Sequence, residues 1–355
     1  MTKARTNASA SPAVGRNMVI NGAMNVAQRS ASVTGLGATL SAYHTVDRFP
    51  IAVSTSGRLT MTQTADGPNG ISANCLKFDC TTADTSIAAG EYFLLRQPFE
   101  GQNLQRIGKG VAGAQQITIS FYVKANAAFT FGCELEDKDN NRNITILFDT
   151  TTDWVRKVIT IPADVDDGSS PFDDDNAESL RLNIWLHAGS TYTSGTLGTS
   201  WYNRVDANRA AGIDSFFSST DNNFFITGVQ MEVGPVATEF EQEDFGVTLA
   251  KCQRYYYRPT TAGDLTGNTH AQAATAAVVV GSFVYKETMR AAPTIALFSI
   301  GNGTAGRIRK TSDGAETTSA GAANIGLNSF GFATGMSNLT AGDAYDLTFT
   351  ADAEL

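Results

Sequence analysis

Ile117-Thr118-Ile119-Ser120-Phe121-Tyr122-Val123 alternates apolar and polar side chains without a break. Successive side chains leave a strand on opposite sides, so period two marks a strand with one face toward a core. The same beat recurs outward in both directions. Leu59 and Met61 alternate with Thr60 and Thr62, and Leu76, Phe78 and Cys80 alternate with Lys77 and Asp79. Further along, Phe129, Phe131, Cys133 and Leu135 face away from Thr130 and Glu134. Leu180, Leu182, Ile184 and Leu186 face away from Arg181, Asn183, Trp185 and His187, and Phe225, Val229, Met231 and Val233 close the series. Turn clusters such as Asp66-Gly67-Pro68-Asn69-Gly70 separate these runs. The pattern predicts an all-β protein, a sandwich or jelly roll with one buried and one wet face per strand. On this reading Leu182→Asp prevents folding, whereas Asn183→Asp on the wet side does not.

One helix interrupts the strands. Asp244 caps a segment in which Phe245, Leu249, Cys252 and Tyr256 share a face at helical spacing. Beyond Pro259 the chain turns Ala-, Gly- and Thr-rich and strands resume, among them Tyr345–Thr350. The predicted organisation is a polar arm at 1–15, the sandwich at 16–243, a connecting helix at 244–257 with Tyr255, Tyr256 and Tyr257 welding it to both sides, and a smaller β-domain at 258–355.

Composition narrows the function. The 355 residues carry a net charge of −9 and only 17% charged residues. No basic stripe is present to neutralise phosphates, so nucleic acid is not an expected partner. No apolar run reaches the roughly 18 residues of a membrane span, so no membrane insertion is expected. The N-terminal stretch lacks the apolar core of a secretory signal, so synthesis and folding in the cytoplasm are expected. Cys75, Cys80, Cys133 and Cys252 form no CxxC pair and read as unpaired structural thiols. No cofactor is implied.

Several constellations compete for a functional role. Trp185 lies on the polar side of its strand with Arg181, Asn183 and His187, and the Gly/Ser/Thr-rich segment 188–213 adds Tyr192, Trp201 and Tyr202. An outward Trp among hydrogen-bonding groups suits a sugar ring. The other reading is that a loop or a neighbouring subunit covers it. Asp137, Asp139 and Asn141 begin like a Ca²⁺ loop, but Arg142 stands where Gly is required. The acidic run 164–178 reads either as a Ca²⁺ site or as a solvated loop. Glu134 and Glu136 share one strand face, as the two carboxylates of a glycosidase must across a cleft. Only His44, His187 and His270 are available for a triad, and no nucleophile elbow accompanies them.

Three stretches carry a resemblance. Residues 16–29, from Arg16-Asn17-Met18 through Asn21-Gly22 to Gln28-Arg29, with Tyr43-His44-Thr45-Val46-Asp47-Arg48-Phe49, resemble the opening of a family of phage and prophage tail-fibre-type proteins. Residues 225–241 and 249–256 resemble the close of that domain. Met289-Arg290-Ala291-Ala292-Pro293 and the terminal residues 350–355 resemble its small C-terminal β-domain. Phe49 stands where the family often has Trp, and Thr6 where it often has Asp. The resemblance implies a jelly roll related in shape to carbohydrate-binding modules, a place in the virion and no enzymatic activity. It further implies a homotrimer, another virion protein receiving the arm, and a host-surface glycan or receptor as ligand. A head fibre or capsid decoration protein and a surface-polysaccharide depolymerase are the alternatives. From the residues alone, Asn21-Gly22 reads as a turn after a strand ending at Ile20, and Asp47-Arg48 as a buried, edge or solvated ion pair.

Overall fold

The computed structural model describes residues 15–165, 170–259, 269–333 and 335–355. The chain divides into two compact units, Met1–Glu243 and Asp244–Leu355. The arm expected at 1–15 lies outside the described residues except for Gly15.

In the first unit the strands are β1 (Ser32–Ala42), β2 (Ile51–Thr64), β3 (Cys75–Thr82), β4 (Tyr92–Glu100), β5 (Ile117–Ala125) and β6 (Thr130–Asp137). They are followed by β7 (Arg142–Asp149), β8 (Val155–Ile161), β9 (Glu178–Ala188), the short helix α1 (Ser190–Thr193), β10 (Tyr202–Asn203) and β11 (Asn223–Val233). The order β10-β7-β6-β9-β4-β2-β3-β11-β5-β8 runs through β2, which belongs to two layers. Its first half, Ile51–Ser54, pairs with β4, and its second half, Arg58–Thr64, pairs with β3. Between them Gly57 lies against Phe217, and a Cβ there would come within 2.5 Å of the ring. The front layer is therefore β10-β7-β6-β9-β4 with the start of β2. The back layer is the rest of β2 with β3-β11-β5-β8, and β1 runs along β2 in both.

The layers face each other through aromatic rings. Front Phe93 meets back Phe78 at 5.1 Å, front Phe131 meets back Phe224 at 5.6 Å, and front Phe148 meets back Phe121 at 5.0 Å. Leu59, Met61, Ile119, Val123, Leu135, Leu182 and Ile184 fill the same core, so the inward face read from the alternation is the inward face in space. The all-β sandwich is the fold. Cys75, Cys80, Cys133 and Cys252 are free and buried, and burial pushes the thiols of Cys75 and Cys80 up to about 11.

One strand departs from its simple reading. Phe224 and Ile226 point into the core while Phe225 is only half-buried on the outside, and Val229 and Met231 point in again. A register shift between Thr227 and Gln230 against β5 produces this, with Gly228 at φ +60°. An extra residue in a strand flips everything beyond it to the opposite face. Phe225 thus does not belong with Val229 and Met231. Val19-Ile20 lie in a turn rather than a strand, and Asn21 takes φ +62° there. Asp47 and Arg48 are both buried, yet Asp47 accepts from Gln28 and Arg48 donates to the carbonyl of Pro98.

In the second unit α2 (Phe245–Gln253) opens with Asp244 accepting from the Gly246 N–H at 2.8 Å, the cap read from sequence. Phe245 is nevertheless 55% exposed, and Thr248 and Cys252 form the buried side. After it come β12 (Tyr256–Tyr257), β13 (Thr269–Thr275), β14 (Val278–Val280), β15 (Ser282–Val284), β16 (Thr294–Phe298), β17 (Arg309–Lys310), β18 (Ala322–Ala323), β19 (Ser329–Phe332) and β20 (Ala344–Asp352). The long β20 organises them, pairing with β12, β13, β16 and β17. Tyr345, Leu347 and Phe349 of β20 enter a core with Tyr257, Phe330 and Phe332. Because Tyr256 and Tyr257 pair with Asp352 and Ala351, the helix and the tyrosines after it are parts of this unit, not a connector ending at 257.

Candidate functional site

The outer face of the front layer holds the side chains that the alternation placed in water, and it is closed. Trp185 is 1% exposed, and Asn183 is fully buried. Segment 188–213 folds back over them through α1, β10 and a 3-10 turn at Asp206–Asn208, tied down where Ala210 N–H donates to Tyr192 and Arg204 N–H to Asn141. Tyr192 lies 5.2 Å from Trp185, and the Arg209 guanidinium sits 5.0 Å over the Trp185 ring. Trp201 is buried in the main core with its indole N–H on the Pro162 carbonyl, and the Tyr202 hydroxyl accepts from Asn143. Arg181 remains partly exposed and is held by Glu178, with Glu136 at 3.7 Å. Of the seven residues proposed as ligand contacts, Arg181, Asn183, Trp185, Tyr192 and Tyr202 gather around this face, whereas Trp201 enters the main core and His187, opposite core-facing Phe93 beyond a register shift, lies edge-on to Phe217 at 5.3 Å. Of its two readings, cover by a loop is the one observed, and Trp185, Asn183, His187 and Trp201 offer no surface to a sugar.

The reason for closure is charge. Glu134, fully buried on this face, accepts from Asn143, Asn183, the Trp185 indole and two nitrogens of Arg209, the last two at 2.8 Å. Arg209 also reaches Glu136 at 3.2 Å, and Arg204 reaches it at 3.1 Å. Burial would raise the Glu136 carboxyl, but Arg209, Lys138 and Arg181 outweigh it and hold the group at about 2. The covering segment therefore carries the cations that its own strand face requires. Chemically the Glu134–Glu136 pair is poor glycosidase machinery, since a general acid needs a raised carboxyl and an open cleft.

The suspected Ca²⁺ loop is filled by the protein itself. Asp137 accepts from Lys109 Nζ at 2.7 Å and caps the turn at Asp139 and Asn140. Asp139 accepts from the Asp173 N–H, and Asn141 occupies a turn at φ +53°. In the acidic run, Asp164 pairs with Arg142 and Lys109; residues 166–169 lie outside the described ones.

The open aromatic surface is elsewhere, on the outer face of the back layer. Phe225 stands abreast of Lys77 on β3 and Lys124 on β5. Lys124 Nζ lies 4.7 Å over the Phe225 ring and 5.2 Å over Trp154, while Lys77 Nζ lies 5.3 Å over Phe225. Trp154 meets Phe225 edge-on at 6.2 Å and donates its indole N–H to the Asp66 carbonyl. Tyr122 continues the platform with Arg156 at 5.9 Å. Trp154, Phe225 and Tyr122 are all half-buried. Tyr122 was visible on the polar side of 117–123, but the bulge at Gly228 hid Phe225, and Trp154 precedes its strand.

No protein-family model and no curated protein matches the sequence. Among solved structures, a family 11 carbohydrate-binding module from Clostridium thermocellum is similar at 11% identity and TM-score 0.30, covering 59% of this chain and 99% of that one. A module described in complex with β-1,4-galactotriose gives 10% identity and TM-score 0.30, covering 62% and 99%. A xylan-binding domain from Paenibacillus barcinonensis gives 13% identity and TM-score 0.26, covering 58% and 94%. The sandwich itself is established by the strand pairing and the single core between its layers.

Proposed function

We propose that this chain is a non-enzymatic structural protein of a phage virion, a tail-fibre or receptor-binding component that holds host-surface glycan on the outer face of its back layer. The observation that carries this reading is the half-open platform of Trp154, Phe225 and Tyr122, interleaved with Lys77, Lys124 and Arg156. Partly exposed aromatic rings can stack on sugars, and the ammonium groups over them can move to donate to hydroxyls or to acidic sugars. The likeness of the opening and closing stretches to tail-fibre-type proteins supports the virion role. Those stretches meet in space, where Glu241 accepts from the N–H groups of Gly15 and Asn17, and Asn17 accepts from Met231 N–H. The arm at 1–15 is the proposed attachment to another virion protein, and a homotrimer is the proposed assembly. The arginine-locked Glu134 and Glu136 support a role without hydrolysis.

The test is Trp154→Ala with Phe225→Ala, read by glycan-array binding and by adsorption of particles carrying the variant. Two stacking contacts of about 1 kcal/mol each predict roughly 30-fold weaker binding with the fold intact. Unchanged adsorption by a folded double variant removes the platform from the proposal. Imaging of labelled particles with the label on the head instead of the tail would make the protein a capsid decoration.

A further inference from the structure

His187 is fully buried at the end of β9, where its Nε2 has no hydrogen-bond partner. An orphaned buried nitrogen calls for an explanation. Its other nitrogen, Nδ1, lies 2.8 Å from Ser215 Oγ. That same oxygen also accepts from the Phe217 N–H. Ser215 Oγ has a second lone pair with which to accept from Nδ1–H, and in that tautomer Nε2 keeps its own lone pair for a ligand. Burial keeps the ring neutral by lowering its basicity to about 4. Nε2 looks toward two carboxylates of the β3–β4 connection, Asp84 and Glu91, with Glu91 Oε2 at 3.7 Å. One ligand atom from each of the three residues lies within 4.8 Å of the others. Ligands about 2.1 Å from a tetrahedral ion are roughly 3.4 Å apart, so a small closure suffices.

We propose that Asp84, Glu91 and His187 bind a divalent transition-metal ion of the Zn²⁺ class, with Ser215 orienting the histidine. One imidazole and two carboxylates match the borderline character of that ion, and Lys109 takes no part here, unlike at Asp137. The supporting shell is built: Asp84 accepts from Thr55 and from Ser86 N–H, and Glu91 accepts from Ala88 N–H. The Glu91 side chain is 12% exposed and provides the way in for the ion. Bound there, the ion fastens the β3–β4 connection to β9 and to segment 214–218, because Asp84 N–H already donates to the Phe217 carbonyl. The proposal is independent of glycan binding.

The test uses the untagged full chain, stripped with chelator and titrated with Zn²⁺, read by elemental analysis after dialysis and by melting temperature. One ion per chain and a higher melting temperature are expected. Visible absorption of the Co²⁺ form should show a nitrogen–oxygen site. His187→Gln should abolish binding, and Glu91→Gln, at the open side and without risk to the core, should do the same. Ser215→Ala should weaken binding roughly 10–100-fold, and His270→Ala on the exposed surface should leave it unchanged. Absence of binding at millimolar Zn²⁺, or full binding by the folded Glu91→Gln chain, overturns the proposal.

Discussion

Glu134 has no accessible surface, and its two oxygens are spanned by one guanidinium, two side-chain amides and an indole. Removing only the guanidinium leaves an uncompensated buried charge. Arg209→Met is therefore expected to cost about 3–5 kcal/mol in urea unfolding. Glu134→Leu combined with Arg209→Met should recover only part of that loss, since it removes the uncompensated charge but leaves the Asn143 and Trp185 donors without their Glu134 acceptor. An additive double variant would show that the pair is not the unit that matters. Asn183 donates to both Glu134 and Glu136, so Asn183→Asp inserts a third carboxylate among them. It should unfold the protein as Leu182→Asp does, contrary to the expectation from alternation alone. Glu136 adds a pH signature. Its carboxyl sits at about 2 against an ordinary 4.5, so its share of stability is complete above 4.5 and is lost as pH falls toward 2. That share is about 3 kcal/mol, and Glu136→Gln should flatten stability against pH in that window.

At the scale of elements, β11 shows what period two conveys and what it does not. The inward faces of 117–123 and 180–184 were legible because each stretch keeps one register, whereas at Leu186 the pairing with β4 shifts and brings His187 opposite core-facing Phe93. In β11 a single glycine at positive φ resets the count, so Phe225 reads as core and emerges on the surface. A Cβ on Gly228 would also meet Ile71 at 2.8 Å and Tyr122 at 2.9 Å. Gly228→Ala should therefore cost at least about 1–2 kcal/mol and disturb the Tyr122 ring. Unaltered stability together with unaltered Tyr122 signals in NMR would contradict the bulge. The covered face was illegible for another reason. Alternation separates the two sides of a strand but cannot say whether water or a later segment lies on the second side. Arg209 and Glu134 are 75 residues apart, and no local pattern links them. Asp84, Glu91 and His187 are likewise brought together only by the sandwich.

Over the whole molecule, the two units keep separate apolar cores, one around Phe78, Phe93, Phe121 and Phe131, the other around Phe330, Phe332 and Phe349. A domain with its own core melts as its own unit. Calorimetry should resolve two transitions, and residues 1–243 expressed alone should reproduce one of them at the same temperature. A single transition that disappears on truncation would make the units one cooperative body. Within the first unit no such separation is expected, because β2 crosses from layer to layer and neither layer can be completed without it.

The two ends of the sandwich are also its neighbours. Gly15 N–H donates to Glu241 at 2.6 Å, and Arg16 donates to the carbonyl of Glu239. Tension applied between the chain before Gly15 and the chain after Glu241 enters and leaves at one point. It loads these few surface bonds first, and once they open the pull passes to Asn17 and Met18, which are bonded to Met231 of β11. As a mechanical part, the staple is the first element to yield and the sandwich the next.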